Sequence, residues 1–379
     1  MSYNSTPGHH SMILDRVRNE AYARAIKAAV TEDSVVLDLG AGLGILGFIA
    51  AKAGAKKVYS VEPAPVIEAA KMVAKANGLT NVEFIQATAE QLELPEQVDL
   101  IISVFTGNFL LTEDLLPALF YARDKFLKPG GKLLPDCANM MVAPISCEDY
   151  YQKSVAHWSN ANDEDSKNYT LGVDYSLVQR YSANSLYYDT AKAFEADLLA
   201  EPLKLIQLDF NTATEAEVDH KTDCRVDKSA TCHGWLGWFD MRLGDDWLST
   251  GPNAEPTHWS QVLMPLDPPI EITAGDQLKF QLKRPTFGEW TWTTTSADNQ
   301  QRQSTFLSEP LTPQGIAKKS DRYSPAPSHM SRAAMTLLEL LDGEKDTVEL
   351  ATHLQTQFPE LFPTATSARK FVRQLIKRY

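Results

Sequence analysis

Apolar residues follow two alternating patterns along the first third of the chain. Short apolar runs predict strands, and longer stretches with apolar residues at every third or fourth position predict helices. The predicted strands cover residues 34–39, 57–62, 82–86, 98–102 and 131–134, and the predicted helices cover residues 12–30, 45–53, 64–77 and 113–127. This alternation indicates an α/β fold with a doubly wound, mostly parallel sheet, which binds ligands at the carboxyl ends of its strands.

The pattern changes after Pro144. A polar and aromatic stretch at about 146–200 is followed by short runs with apolar residues at every second position. These runs lie at residues 203–208, 234–239, 277–280 and 289–292. Short strands of this kind, separated by turn signals, predict an antiparallel β-barrel or sandwich as a second domain.

The end of the chain has a third texture. Residues 312–332 are rich in proline, serine and lysine and predict a linker. Three short helices are predicted beyond it, at residues 333–341, 347–358 and 364–377, with Gly343 after the first. The predicted domains are therefore residues 1–143, 144–311 and 333–379, the last a small helical domain.

Composition and charge narrow the class of protein. The 379 residues, 44% hydrophobic and 22% charged, are ordinary for a globular protein of two or three domains. A net charge of −13 disfavours nucleic acid as a partner. No apolar run suggests a signal peptide or membrane span, so we expect a cytoplasmic protein without a membrane partner. The four cysteines form no CxxC pair, so we expect no disulfides and no metal site.

The most specific motif is a glycine-rich turn at the end of the first predicted strand. The run Val35–Gly44 places glycine at every second position of the turn, and Glu62 ends the next predicted strand. Glycine lets the backbone approach a ligand closely, and a carboxylate can accept both hydrogens of a ribose diol. This arrangement favours S-adenosylmethionine over a nicotinamide dinucleotide, whose third glycine would fall at Ile45. The candidate cofactor-binding residues of this motif are Asp38, Gly40, Gly42, Gly44 and Glu62.

Several further segments carry a resemblance to one family. The order of N-terminal helix, nucleotide domain and barrel, the tripeptide Thr257-His258-Trp259 and the segment Tyr121–Asp136 resemble the protein arginine methyltransferases over residues 9 to about 295. The resemblance implies S-adenosylmethionine as cofactor and methyl transfer to a nitrogen atom of a protein or peptide side chain. A small-molecule methyltransferase and a non-catalytic relative that binds cofactor or peptide are the alternatives.

The resemblance also assigns further residues to the cofactor. It implies that His9 and Met12 contact the cofactor and that Arg18 pairs with its methionyl carboxylate, since a planar guanidinium suits a carboxylate. Ala89 and Glu90 match the adenine-binding positions of the family, and Glu90 can accept a hydrogen bond from the exocyclic amine.

The family's substrate loop joins two glutamates that hold a guanidinium. Here the second is retained as Glu113, whereas the first is replaced by Val104. An isopropyl group cannot accept the hydrogen bonds of a cation. Either Asp114, Thr106 or Asn108 substitutes for the missing carboxylate, or the acceptor is not arginine.

The resemblance implies a proton relay and a substrate pocket. Asp15 matches the carboxylate that pairs with the histidine of the Thr-His-Trp segment, here His258, and this pair would take a proton from the acceptor nitrogen. Glu113, His258 and Asp15 are thus the candidate catalytic residues. Phe105, Asn108 and Trp259 are the candidate substrate-binding residues.

Two further expectations concern assembly. Residues 146–200 correspond to the position of the family's dimerisation arm, so we expect a homodimer. The predicted helices of residues 333–379 faintly resemble small peptide-binding winged-helix domains of the PqqD type, although the β-hairpin of those domains is not visible in the sequence. A helical appendage that covers another surface is the alternative.

Overall fold

The computed structural model describes residues 6–159, 170–320 and 322–377, so residues 160–169 of the predicted arm lie outside the described residues. The chain divides into two compact units, residues 1–310 and 311–379.

The first unit begins with the α/β domain. Its elements after a 3₁₀ turn at Thr6–His9 are α1 (His10–Ile13), α2 (Arg16–Ala29), β1 (Val35–Leu39), α3 (Ile45–Lys52), β2 (Lys57–Val61), α4 (Ile67–Ala76), β3 (Val82–Ile85), β4 (Val98–Ser103), α5 (Leu116–Phe126) and β5 (Leu127–Leu134). The strands form one parallel sheet in the order β3-β2-β1-β4-β5. This sheet confirms the predicted fold class. The five residues of central strand β1 are all buried, as expected for a strand covered on both faces.

Two predicted helices have different bounds in the structure. The helix predicted at 12–30 is interrupted before Arg16, because Asp15 leaves helical geometry to cap α2 with its side chain. The helix predicted at 113–127 begins only at Leu116, because Asp114 has a left-handed backbone conformation with a φ of 54°. Both interruptions place an acidic residue at a loop rather than on a helical face.

The second part of the first unit is antiparallel, as predicted. Its elements are β6 (Cys137–Ser146), α6 (Glu148–Ser154), α7 (Gln179–Ser182), β7 (Tyr187–Asp189), α8 (Ala191–Phe194), β8 (Asp197–Leu198), β9 (Leu203–Asp209), β10 (Val218–Arg225), β11 (Ala230–Leu243), β12 (Asp246–Ser249), β13 (Gln261–Ile272), β14 (Gln277–Arg284), β15 (Thr291–Thr295) and β16 (Gln300–Ser304). One sheet has the order β10-β14-β15-β16, and the other has the order β7-β13-β11-β6-β8. In the second sheet, β9 also pairs with β6 and β12 also pairs with β11. The boundary predicted at residue 143 falls inside β6, because β6 pairs with β11 from Cys137 onward.

The barrel domain and the parallel sheet share one hydrophobic core. This core joins Leu37 of β1 and Ile101 of β4 to Trp235 of β11 and Trp292 of β15. Phe109, from the loop between β4 and α5, belongs to the same core and is fully buried. The predicted substrate loop is therefore packed between the two parts of the first unit.

The second unit is helical. Its helices are α9 (Pro313–Lys318), α10 (His329–Glu339), α11 (Thr347–Gln357) and α12 (Ala365–Ile376). The last three confirm the predicted helices, and Asp346 and Thr364 cap α11 and α12 as their side chains suggest. The predicted linker contains α9, which Thr312 caps. Residues 322–377 form no strand, so the part of the tail that the structure describes has no hairpin of a winged helix.

Other predictions concern metals, cysteines and membranes. All four cysteines are free and buried. Within the described ranges, no cluster of three or more histidine, cysteine, aspartate or glutamate side chains suits a metal ion. In the same ranges, no helix has the length and apolar character needed to cross a membrane.

Candidate active site

The glycine turn lies at the carboxyl end of β1. The amides of Gly40 and Ala41 both donate to the carbonyl oxygen of Val61 at 2.9 Å, which fixes the turn against the end of β2. A Cβ at Gly40 would lie 2.4 Å from Cε1 of Phe105, and Gly40 has a φ of 74°. A residue with a side chain could not occupy this turn while the Phe105 ring packs over it.

His9 closes the same turn from the N-terminal segment. A Cβ at Gly42 would lie 2.8 Å from Nδ1 of His9, and His9 itself is buried. Two candidate residues from distant positions, His9 and Phe105, thus approach the turn at the strand ends.

Glu62 is buried next to the turn. Its Oε2 accepts the amide hydrogen of Gly42 at 3.0 Å, and its Oε1 accepts the amide hydrogen of Ala64 at 2.9 Å. Each carboxylate oxygen can accept a second hydrogen bond. The side chain is therefore held in one orientation and retains acceptor capacity for two hydroxyl groups.

Asp38 lies deeper, under the helix that follows the turn. Its Oδ2 accepts hydrogen bonds from the amide of Gly47 at 2.9 Å and from Oγ of Ser60 at 3.2 Å. Burial raises the pKa of Asp38 to about 7, although these hydrogen bonds oppose the shift. The carboxyl group thus accepts a hydrogen bond from the first turn of α3. It keeps its proton to a higher pH than an ordinary aspartate does.

We expect Asp38→Asn to remove a pH dependence of stability. The folded-state pKa, about 7, exceeds the ordinary value of 3.8, so the folded protein holds a proton that the unfolded chain has released. The free energy of unfolding of the wild type should therefore fall, relative to that of Asp38→Asn, by about 2–3 kcal/mol between about pH 5 and about pH 8. Urea unfolding of the cofactor-free proteins at several pH values measures this difference. A difference that does not change with pH would contradict the raised pKa.

Asp15 connects the N-terminal segment to the barrel. Its Oδ1 accepts the amide hydrogen of Arg18 at 2.9 Å, and its Oδ2 accepts from both the amide of His258 at 2.8 Å and Nδ1 of His258 at 2.7 Å. Burial by itself would raise the pKa of Asp15, but the hydrogen bonds from His258 and Arg18 outweigh burial and lower it. The ionised carboxylate holds the hydrogen on Nδ1, so that Nε2 of His258 carries the lone pair that can accept a proton.

Arg18 is buried beside this contact. Its Nη2 donates to the carbonyl oxygen of Met12 at 2.6 Å and to Oδ1 of Asn19 at 2.8 Å. Burial lowers the pKa of Arg18, and the neighbouring Tyr22, Asp15 and Asp38 oppose that shift. The guanidinium holds helix α1, which carries Met12, against α2.

The loop between β4 and α5, which is the predicted substrate loop, is attached to the barrel at several points. Nε1 of Trp259 donates to the carbonyl oxygen of Thr106 at 2.8 Å, and the amide of Ser260 donates to Oδ1 of Asn108 at 2.9 Å. Glu113, at the end of the loop, is exposed and lies against Gly107, where a Cβ would be 2.9 Å from Cγ of Glu113. The loop thus brings Asn108 and Trp259 together near the His258 segment.

Two of the three possible substitutes for a carboxylate at Val104, Asp114 and Asn108, already have hydrogen-bond partners in the barrel. Asp114 binds Nη2 of Arg284 through Oδ2 and the amide of Phe287 through Oδ1 at 3.1 Å. Oδ1 of Asn108 accepts the hydrogen bond from the barrel, and Oγ1 of Thr106 is buried without a hydrogen-bond partner among the residues described. Asp114 is therefore committed to the barrel, which leaves Glu113 as the other carboxylate of the loop.

Two candidate residues lie further along the sheet edge. Ala89 is buried and Glu90 is exposed in the turn that follows β3. The structure shows their position after β3, and their role toward adenine stays a prediction.

The sequence patterns did not identify the ion pair of Arg284 with Asp114 or the Trp290 ring next to the Arg284 guanidinium. A signal for Arg284 existed, because the alternation in β14 places it on the same face as Leu278, Phe280 and Leu282, all of which are buried. A charged residue on an apolar strand face indicates a buried pair. No sequence pattern indicated which residue is its partner.

Comparisons with known proteins agree with this geometry. The family model described as arginine methyltransferase oligomerization subdomain matches residues 136–286, and a methyltransferase domain model matches residues 36–131. The chain is 35% identical over 289 residues to protein arginine N-methyltransferase 6 of Xenopus tropicalis, and this match covers 73% of this chain and 83% of that relative. It is 32% identical over 285 residues to protein arginine N-methyltransferase 1 of Dictyostelium discoideum, which covers 73% of this chain and 80% of that relative.

The fold is also similar to a solved structure of the same family. A chain of the Trypanosoma brucei PRMT1 enzyme-prozyme heterotetrameric complex with AdoHcy superposes with a TM-score of 0.71 and 30% sequence identity. The match covers 80% of this chain and 99% of that chain.

Proposed function

The chain belongs to the protein arginine methyltransferase family and its reaction is methyl transfer from S-adenosylmethionine; we propose that the acceptor is a side-chain nitrogen of a protein or peptide. One observation carries this proposal. The Asp15–His258 contact joins the N-terminal segment that bears Arg18 to the barrel loop that bears Trp259. A base oriented at this junction suits an acceptor that must lose a proton, as a nitrogen does after methylation.

The residues around the glycine turn fit the cofactor. Glu62 would accept hydrogen bonds from the ribose hydroxyls, since each of its oxygens retains acceptor capacity. Arg18 would pair with the methionyl carboxylate, and a buried guanidinium gains most from such a partner. His9 and Met12 would cover the cofactor, with Ala89 and Glu90 at adenine. The bound cofactor supplies an electrophilic methyl group on a sulfonium.

The protein's contribution to transfer is alignment and proton removal. Glu113 would accept a hydrogen bond from the acceptor group and orient its nitrogen toward the methyl group. Phe105 and Trp259 would form apolar walls that exclude water, with Asn108 at the loop. Nε2 of His258 would take the proton that the nitrogen loses as the new carbon–nitrogen bond forms.

The direct test of the acceptor uses radiolabelled S-adenosylmethionine. Three matched peptides that differ only in one residue, arginine, lysine or histidine, are incubated with the enzyme and analysed by mass spectrometry. We expect single-methyl increments on a side-chain nitrogen, with arginine the first acceptor to test because the named relatives are arginine methyltransferases. In a cell lysate, label found only in small molecules would contradict the proposal, and the absence of any label would indicate a non-catalytic relative.

We also propose that the chain forms a homodimer through the arm at about 146–200. The matched oligomerization subdomain model includes this region. The described part of the arm exposes large apolar side chains, with Leu171 at 84% and Leu177 at 80% of their full accessibility. Exposed apolar patches of this kind are typical of interfaces.

Charged substitutions in the arm should separate the subunits. We expect sedimentation at micromolar concentration to show a dimer for the wild type and a monomer for the double variant Leu171→Asp/Leu177→Asp, because buried carboxylates oppose association. Leu307→Asp is the matched control, since Leu307 is also exposed, at 48%, but lies outside the arm. A wild-type monomer, or a dimer that survives the double substitution, would contradict this interface.

A further inference from the structure

Arg284 is an unusual buried charge at the end of β14. Its side chain is only 3% exposed, and the alternation of the strand directs it into the barrel with Leu278 and Phe280. Its Nε and Nη1 atoms are buried and have no hydrogen-bond acceptor in the described part of the chain. The burial of an arginine on an apolar face is costly unless a carboxylate neutralises it.

The neutralising carboxylate comes from the substrate loop. Nη2 of Arg284 binds Oδ2 of Asp114, a residue 170 positions earlier in the chain whose side chain is 23% exposed. The guanidinium also lies over the ring of Trp290, with its central carbon 5.2 Å from the ring centre. Asp114 directly follows Glu113, so the barrel holds the backbone next to the proposed substrate-binding carboxylate.

The loop needs such an external support. Phe109, Leu110 and Asp114 all have left-handed backbone conformations, with φ of 51°, 66° and 54°. Such conformations are unfavourable for residues with side chains and persist only where surrounding contacts determine them. Two contacts do so here, the Asp114 pair and the stacking of Phe109 on Trp290 at 5.3 Å between ring centres.

We propose that Arg284 is a positioning residue, which through Asp114 sets the orientation of Glu113 toward the methyl acceptor. The proposal rests on the proposed function, because Glu113 is the group being positioned. Trp290 joins the two supports of the loop, since it contacts both Arg284 and Phe109. The barrel therefore contributes to acceptor binding through a residue that does not itself touch the acceptor.

The test compares kinetics and loop dynamics in the full-length protein. For Arg284→Met and Asp114→Asn we expect kcat/KM for the acceptor peptide to fall about tenfold or more, while the dissociation constant of S-adenosylmethionine stays within about twofold. Arg284→Lys should recover part of the loss, because a lysine keeps the charge but forms a single contact. The kcat/KM of the double variant Arg284→Met/Asp114→Asn should be no lower than that of either single variant, because both substitutions break the same pair.

Lys283→Met is the matched control. Lys283 is the adjacent residue of β14 and forms an ion pair with Asp219, but its side chain is 54% exposed. We expect its kcat/KM to equal that of the wild type. If Arg284→Met does not fold, Asp114→Asn is the variant that tests the proposal, because Asp114 is half-buried and its substitution leaves the barrel strand unchanged.

Two kinetic results would overturn the proposal. One is an unchanged kcat/KM in Asp114→Asn. The other is a decrease of kcat/KM in Arg284→Met and Asp114→Asn that equals the fraction of unfolded protein, with no recovery of kcat/KM in Arg284→Lys. Amide hydrogen exchange over residues 107–115 provides a readout independent of catalysis, and it should become faster in Asp114→Asn but not in Lys283→Met. A wild type that methylates no peptide would refute the proposed function, whereas unchanged exchange would refute the support of the loop.

Discussion

Glu113→Gln is expected to lower the rate of methyl transfer by about ten- to hundredfold and to leave cofactor binding unchanged. Glutamine keeps the size of the side chain but removes its charge. A hydrogen bond to a charged group contributes about 1.5–3 kcal/mol, and each 1.4 kcal/mol of lost transition-state stabilisation is about tenfold in rate. Single-turnover transfer to a peptide gives the rate, and calorimetry with S-adenosylmethionine gives the affinity.

The effect should be large because the loop offers few alternatives. Asp114 is bound to Arg284, and Val104 is apolar and packed against the core. Glu93→Gln is the matched control, since Glu93 is 83% exposed and pairs with Lys125 outside the site. If Glu113→Gln kept the turnover of the wild type, the acceptor would have to bind elsewhere.

Glu62→Ala is expected to weaken S-adenosylmethionine binding by roughly 100-fold or more. The loss of two charge-assisted hydrogen bonds to the ribose, at about 1.5 kcal/mol each, accounts for this factor. The substitution also leaves the amides of Gly42 and Ala64 without their acceptor, so that the glycine turn itself should become less ordered. Calorimetric titration with the cofactor and with its demethylated product measures the change.

A conservative variant separates the two contributions. Glu62→Gln can still accept one of the two amide hydrogens, so its affinity should lie between those of the wild type and Glu62→Ala. Glu83→Ala is the control, because Glu83 on the neighbouring strand β3 pairs with Lys57 at a half-exposed position. Equal affinity in Glu62→Ala and Glu83→Ala would mean that the ribose does not bind at the end of β2.

Much of the α/β domain could be predicted from local patterns. The buried run of β1 and the alternation of strands and helices come from sequence periodicity, and the structure confirms them within a few residues. The errors occur at Asp15 and Asp114, where an acidic side chain interrupts a helix pattern to bind a distant group. The contact of Asp15 with His258 was expected only through the family resemblance, because 243 residues separate the two.

The sequence by itself determined the glycine turn, the position of Glu62 at the next strand end and the helical tail, since each depends on neighbouring residues. Only the tertiary structure decided that Asp114 binds Arg284 and is therefore withdrawn from any role at Val104. The physical reason is that a buried charge can be recognised from the pattern of its strand, whereas its partner is chosen by which loop the fold brings within hydrogen-bonding distance.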